Sequence, residues 1–376
     1  MMRGPRRGSD VARIDRRMGP MQMTDSIVSP ALRALLDTLR PANLNFAALH
    51  PGDVSARQPV HVVYGGGHLF RADTAAKLGE LARRALADYA PDAATLDQAL
   101  GLGALAEPVH RRIEAKLAHE PVEDFRIDFE DGYGVRPDAD EDRDVAVAAR
   151  EVAKGLAAGT LPAMIGIRVK PLTEELRERS LRTLRLFLGN LIAEAGQLPP
   201  GFVLTLPKVT VPEQVSAFAA VLGAIERELG LDAGVLRFEI MVETPQILLG
   251  SDGVSALPRL IPAAAGRLQA AHLGTYDYTA SLGITAAHQR MRHPVCDFAK
   301  HMMQIAYAGT GVWLSDGSTA ILPVPVHGAT SAPLTPAERA ENRAGMHAAW
   351  RLHADDVRHS LAGGFYQGWE IGRAHV

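Results

Sequence analysis

Residues 237–245 read "RFEIMVETP". Apolar residues dominate up to Val242, a carboxylate follows at Glu243, and Pro245 stops the strand from running on. A short, nearly continuous apolar run is the pattern of a strand covered on both faces, as in a parallel sheet. Glu243 is then a charged group at the end of a buried strand, which is costly unless a positive partner sits beside it. The pattern recurs in both directions along the chain. "VHVVY" (60–64), "FRIDFE" (125–130), "MIGIRV" (164–169) and "FVLTLP" (202–207) precede it; "LQAAHL" (268–273), "GVWLS" (311–315) and "GWEI" (368–371) follow. Helical patterns fill the gaps, and the central strands start 31 to 39 residues apart, the length of a βα unit. Eight such units predict an α/β fold, a (β/α)8 TIM barrel, with a doubly wound open sheet as the alternative. No internal linker or low-complexity tract splits the core, so a single barrel is expected. Residues 90–124 read as a helical insertion after the first strand.

Composition narrows the classes of partner. The chain has 376 residues, 47% hydrophobic and 22% charged, with a formal charge of -3. That balance suits a globular protein with a sizeable core and gives no reason to expect nucleic acid or an anionic membrane. The single cysteine, Cys296, excludes an internal disulfide or a thiolate metal cluster and suits a reducing cytoplasm. No run of about 18 apolar residues occurs, so no membrane-spanning helix is expected. Residues 1–22 carry six arginines and two aspartates with no apolar stretch. They read as a disordered leader or a mis-called start, with Met23 the expected beginning. Residues 23–59 form an N-terminal segment, and 60–376 the barrel. The last six residues, "IGRAHV", are the translation of the sequencing-adapter sequence ATCGGAAGAGCACACGTC. The expectation is therefore a C-terminus truncated by adapter.

Barrel chemistry gathers at the C-terminal ends of strands. Reading those positions alone gives Gly65, Gly66, Gly67 and His68 after the first strand, and Asp128, Glu130 and Asp131 at the second. Arg168 and Lys170 follow at the third, Lys208 at the fourth, Glu243 at the fifth and Asp277 at the sixth. Two carboxylates ending adjacent strands would repel unless one were protonated or a cation lay between them. Magnesium is commonly held by one or two carboxylates plus water and substrate oxygens, and the cluster lacks the His and Cys ligands zinc favours. Glu243 and Asp277 are thus candidate Mg2+ ligands, with Mn2+ as the substitute metal. Arg168 and Lys208 add positive charge for an anionic substrate, Arg168 by a bidentate grip. The glycines Gly66 and Gly67 offer backbone N–H groups to a phosphate or carboxylate. Plainer roles compete: Glu243 could pair with Arg168 or Lys208, Asp277 could cap a helix, and His68, His272, His327 and Cys296 suit packing.

Taken in order, these residues resemble the citrate lyase beta-subunit and malyl-CoA lyase family, also called the HpcH/HpaI aldolase family, in the phosphoenolpyruvate/pyruvate barrel superfamily. The carrying motifs are Asp128–Phe129–Glu130–Asp131–Gly132, Arg168 in "IRVKP", Leu206–Pro207–Lys208, Val242–Glu243–Thr244, and Gly274, Asp277, Leu282 and Gly283. The likeness spans roughly residues 60–315. It departs in the first strand, in the long spacing from Glu243 to Asp277, and in the missing last-strand motif.

The resemblance implies a Mg2+-dependent carbon–carbon lyase or aldolase that works through an enolate. The implied substrate is a small anion, a 2-oxo acid or a 3-hydroxyacyl compound, including acyl-CoA thioesters. Glu243 and Asp277 would hold the metal, Arg168 would be catalytic, and Glu130 or Asp131 would act as general base. A homotrimer or homohexamer is implied as well. Two other classes stay open: a phosphoenolpyruvate-handling phosphotransferase, and a non-catalytic metabolite-binding barrel.

Overall fold

A computed structural model describes residues 29–52, 55–328 and 333–371. The leader expected at 1–22 and residues 372–376 lie outside the described residues. The chain divides into two compact units, residues 1–49 and 50–376. The first contributes α1 (Pro30–Asp37), begun by Pro30 with the Ser29 hydroxyl accepting from the Leu32 amide, and α2 (Arg40–Leu49). None of the described helices is long and apolar enough to cross a membrane.

The second unit is the barrel. Its strands are β1 (His61–Gly66), β2 (Asp124–Asp128), β3 (Met164–Arg168), β4 (Phe202–Leu206), β5 (Arg237–Val242), β6 (Leu268–Leu273), β7 (Trp313–Ser315) and β8 (Gly368–Ile371). Each falls on a run anticipated above. Helices α3 (Thr74–Tyr89), α4 (Ala93–Leu100) and α5 (Ala106–His119) follow β1, so the helical insertion lies where expected. Then come α6 (Asp138–Ala158), α7 (Arg177–Ala195), α8 (Pro212–Leu229), α9 (Pro245–Leu248), α10 (Leu257–Ala263), α11 (Thr275–Ser281), α12 (Pro294–Tyr307) and α13 (Pro336–Ala362). Local signals set the ends of these helices. Asp138, Asp140 and Glu141 crowd the first turn of α6, where the helix dipole favours negative charge. Thr335 and Glu338 close a reciprocal capping box on α13.

The strands lie in the order β7-β6-β5-β4-β3-β2-β1-β8, and every pairing is parallel. A single bridge, Ser315 to Gln367, brings β7 and β8 together and closes the ring. The Asp316 amide donates to the Gln367 carbonyl at 2.8 Å, and the Gln58 amide group reaches both Leu314 and Gln367 across this seam. The architecture is the (β/α)8 TIM barrel.

Side chains alternate along each strand. Phe125, Ile127, Ile165, Ile167, Leu204 and Ile240 pack outward against helix residues such as Val145, Val152, Leu184 and Phe218. The inward positions are different. Val62, Tyr64, Met241 and Trp369 form a separate small cluster, and beside it lies a buried charged layer. Arg126 Nε donates to Glu239 Oε1 at 2.9 Å, and Arg126 Nη1 pairs with Asp124. Thr205 and Tyr64 also donate to Glu239, and His272 Nε2 lies 2.7 Å from Glu239 Oε2. Strands β2 and β5 are not neighbours in the sheet, so Arg126 and Glu239 meet across the lumen. The strands read as continuous apolar runs therefore carry charge on alternate, inward positions, where barrels usually place branched apolar residues.

Candidate active site

Above that layer the inward rows end in Asp128 on β2, Arg168 on β3 and, one residue past β5, Glu243. Asp128 and Arg168 are fully buried. Arg168 Nε and Nη2 donate to the two Asp128 oxygens at 2.7 and 2.5 Å. Backbone amides of Glu130 and Gly132 donate to the same carboxylate at 2.9 and 2.7 Å. The forked edge of Arg168, expected to grip a substrate carboxylate, is thus occupied by Asp128. What remains is Nη1, 3.2 Å from Glu130 Oε2, 3.9 Å from Asp131 Oδ2 and 3.4 Å from the Met241 sulfur. The Tyr64 ring lies 4.8 Å beneath the guanidinium. Burial alone would lower the Arg168 pKa, but Asp128 and Glu130 outweigh it and hold the guanidinium charged.

Lys208 sits just after β4 with φ of 50°, a left-handed conformation uncommon for a residue with a Cβ. The turn gives this residue two separate contacts. Its backbone N–H donates to Glu243 Oε1 at 2.7 Å. Its ammonium pairs with Glu130, with Asp131 at 3.2 Å and with Asp277 at 3.2 Å. The residue therefore ties together groups from β2, β5 and β6. It answers the question posed by Glu243: the neighbour is Lys208, whose main-chain N–H donates to the carboxylate and whose charge favours its ionised form. Lys170 instead turns to α6, pairing with Glu141 at 2.7 Å, and leaves the cluster.

Glu243 is 1% exposed. Burial pushes its carboxyl up to about 8, with Asp277 and Glu130 adding and the Lys208 charge opposing. Glu130 is pushed up to about 7 by burial, opposed by Arg168 and Lys208. Burial would raise Asp131 too, but the same two cations bring it below the usual carboxylate range. Five carboxylates, Asp128, Glu130, Asp131, Glu243 and Asp277, thus share two cations, Arg168 and Lys208.

These residues fit a divalent cation. The donors are hard oxygens, and they carry surplus negative charge. A Cβ at Gly274 would stand 2.2 Å from Glu243 Oε2, so the absent side chain is what leaves the carboxylate its place. Next in sequence, the buried Thr275 hydroxyl has no hydrogen-bond partner among the described residues. Among the described residues no three His, Cys, Asp or Glu side chains form a ready-made cage. Glu243 and Asp277 would therefore hold the ion as a pair, with solvent and substrate supplying the other oxygens.

The glycines at the end of β1 sit in close quarters. The Gly67 amide donates to the Asp128 carbonyl at 2.8 Å and is already committed. A Cβ on Gly66 would lie 2.6 Å from the Gly132 carbonyl, and one on Gly67 2.4 Å from the Phe129 ring. They let β1 pack closely against the loop that carries Glu130 and Asp131. His272 belongs to the buried layer, His327 Nε2 lies 2.5 Å from Glu341, and burial pushes the Cys296 thiol up to about 12. Sequence reading passed over Asp128 as the partner of Arg168, and over Tyr64. The signal for Asp128 was its two-residue spacing from Glu130 at a strand end. A cavity of about 450 Å³ lies elsewhere, lined by residues such as Arg83, His119 and Thr160 ahead of β2 and β3. That is the N-terminal end of the barrel, away from this cluster.

The same barrel fold occurs in solved structures at low sequence identity. Malate synthase from Haloferax volcanii, in its native form at 3 mM glyoxylate, aligns over 86% of this chain and 74% of its own. The identity is 15% and the TM-score 0.52. The magnesium/glyoxylate complex of the same enzyme aligns over 84% and 72% at 14% identity, with a TM-score of 0.50. A citrate lyase from Burkholderia xenovorans LB400 aligns over 87% and 98% at 18% identity, with a TM-score of 0.44. The likeness of this divergent sequence to the malate synthase structures is one of fold. No curated protein matches the chain. The chain belongs to the family described as "Domain of unknown function (DUF6986)", which matches residues 39–376.

Proposed function

We propose that the protein is a Mg2+-dependent carbon–carbon lyase or synthase acting through an enolate on a small 2-oxo acid or acyl thioester. The observation that carries this reading is the buried Glu243, seated against Gly274 and held by the Lys208 amide, in a cluster with more carboxylates than cations. Support also comes from the order of motifs along the strands, and from a malate synthase of the same barrel kind described as a magnesium/glyoxylate complex. Glu243 and Asp277 would hold Mg2+, which would supply Lewis acidity to a substrate oxygen.

The protein's own groups do the rest. Arg168 Nη1, fixed by Asp128 on one side and Tyr64 below, presents a positive charge that needs no reorganisation as an oxyanion develops. Glu130, raised toward neutrality by burial, is the general base that takes the proton next to the carbonyl. Asp131, held ionised by Arg168 and Lys208, keeps Glu130 from losing its proton too readily.

The test is proton exchange into D2O at the methyl groups of pyruvate and acetyl-CoA, followed by NMR, with and without Mg2+. Metal-dependent exchange that disappears in Glu243→Gln is the expected result, and the methyl that exchanges names the substrate class. A folded, metal-loaded protein that exchanges neither methyl sinks the proposal.

A further inference from the structure

Lys208 carries an inference of its own, which rests on Glu243 and Asp277 being the metal ligands. Its ammonium lies 3.2 Å from Asp277 and bonds Glu130, while its amide holds Glu243. The side chain is 27% exposed, so it has room to swing toward the mouth, whereas Glu130 is 6% exposed and fixed. A divalent ion bound by Asp277 must share that carboxylate with the ammonium or expel it. Two like charges on one carboxylate repel strongly in a partly buried site.

We propose that Lys208 is an internal counter-ion that competes with the metal for Asp277. It is a positioning residue in two senses. The ammonium keeps the carboxylates of β2 and β6 together, and metal loading releases it toward an incoming anion. The amide contact with Glu243 belongs to the main chain and persists throughout. Binding of cation and of anionic substrate are thereby linked through one side chain.

The experiment measures Mn2+ affinity by electron paramagnetic resonance and isothermal titration calorimetry, on wild type, Lys208→Met and Lys208→Arg. Lys208→Met is expected to bind Mn2+ about tenfold more tightly, since a competing charge is gone. Lys208→Arg keeps the charge and should bind like wild type. Metal-free Lys208→Met should also melt at a lower temperature than wild type and regain the loss when Mn2+ is added. A lysine with only a structural role would leave affinity unchanged or weaken it, and either result in a folded variant overturns the proposal.

Should Lys208→Met not fold, the wild type still answers. In protein labelled with 15N-lysine, the Nζ resonance missing from Lys208→Arg should shift on Mg2+ addition, and a resonance that stays put overturns the proposal. Wild type that binds no Mn2+ at all removes the metal reading itself. Binding by wild type with no change in Lys208→Met removes only the role given to Lys208.

Discussion

Gly274 and Asp128 show how single residues set the site. A methyl group at Gly274 would fall 2.2 Å from one Glu243 oxygen and 2.4 Å from the Glu243 Cβ, closer than non-bonded atoms approach without something shifting. Gly274→Ala should therefore weaken Mn2+ binding and cost about 1–3 kcal/mol of stability, the usual toll of overpacking, read from urea unfolding and titration. A variant with unchanged affinity would mean that Glu243 does not need this seat. Asp128→Ala is the harsher change. It strips the buried Arg168 of its forked partner and should cost about 3–5 kcal/mol, because an uncompensated charge stays behind. Denaturant midpoints check this directly. The ends of β2, β4, β5 and β6 were legible from the sequence because strand-end carboxylates and cations stand out against apolar runs. The pairing of Arg168 with Asp128 was not, since two acids two residues apart give no clue to which one takes the guanidinium. Nor does a sequence reveal that Lys208 reaches Glu243 with its main chain.

Among the elements, β7 and β8 are the weak pair. Only three residue pairs join β7 to β6, and a single bridge joins β7 and β8 to each other. Their amides should exchange with deuterium before those of β2 to β5, as measured by mass spectrometry; equal protection around the ring would show that side chains such as Gln58 hold the seam as firmly as a ladder. All eight strands were readable because a covered strand in a parallel sheet is apolar on its helix-facing side whatever lies inside. The inner face was hidden for the same reason. "FRIDFE" and "FEIMVE" register as apolar runs, yet Arg126, Asp128 and Glu130 take every second position of the first, and Glu239, Met241 and Glu243 of the second; period two was the overlooked signal.

On the scale of the molecule, two lowered carboxylates tie part of the barrel's stability to acid pH. Glu226 on α8 would be raised by burial, but Arg267 and the amides of Gly234 and Leu236 outweigh that and bring it to about 2. Glu120 falls to about 2 through Arg57, with Lys116 adding against burial. Both folded values lie below the ordinary glutamate value near 4.5. Between those pH values the unfolded chain binds more protons, so their stabilisation is complete above about 4.5 and is lost as pH falls toward 2. Glu226→Gln should flatten the urea midpoint across that window. A midpoint that falls as steeply as in wild type would assign the acid sensitivity elsewhere.

The left-handed turn at Lys208 has a consequence for how such a protein diversifies. Every amino acid except proline brings an amide to position 208, so those that tolerate the left-handed turn keep the hold on Glu243. The ammonium is lost with the lysine. Inheritance can therefore retune how eagerly the cluster accepts a cation by altering one side chain, while the buried carboxylate at the heart of the site keeps its anchor.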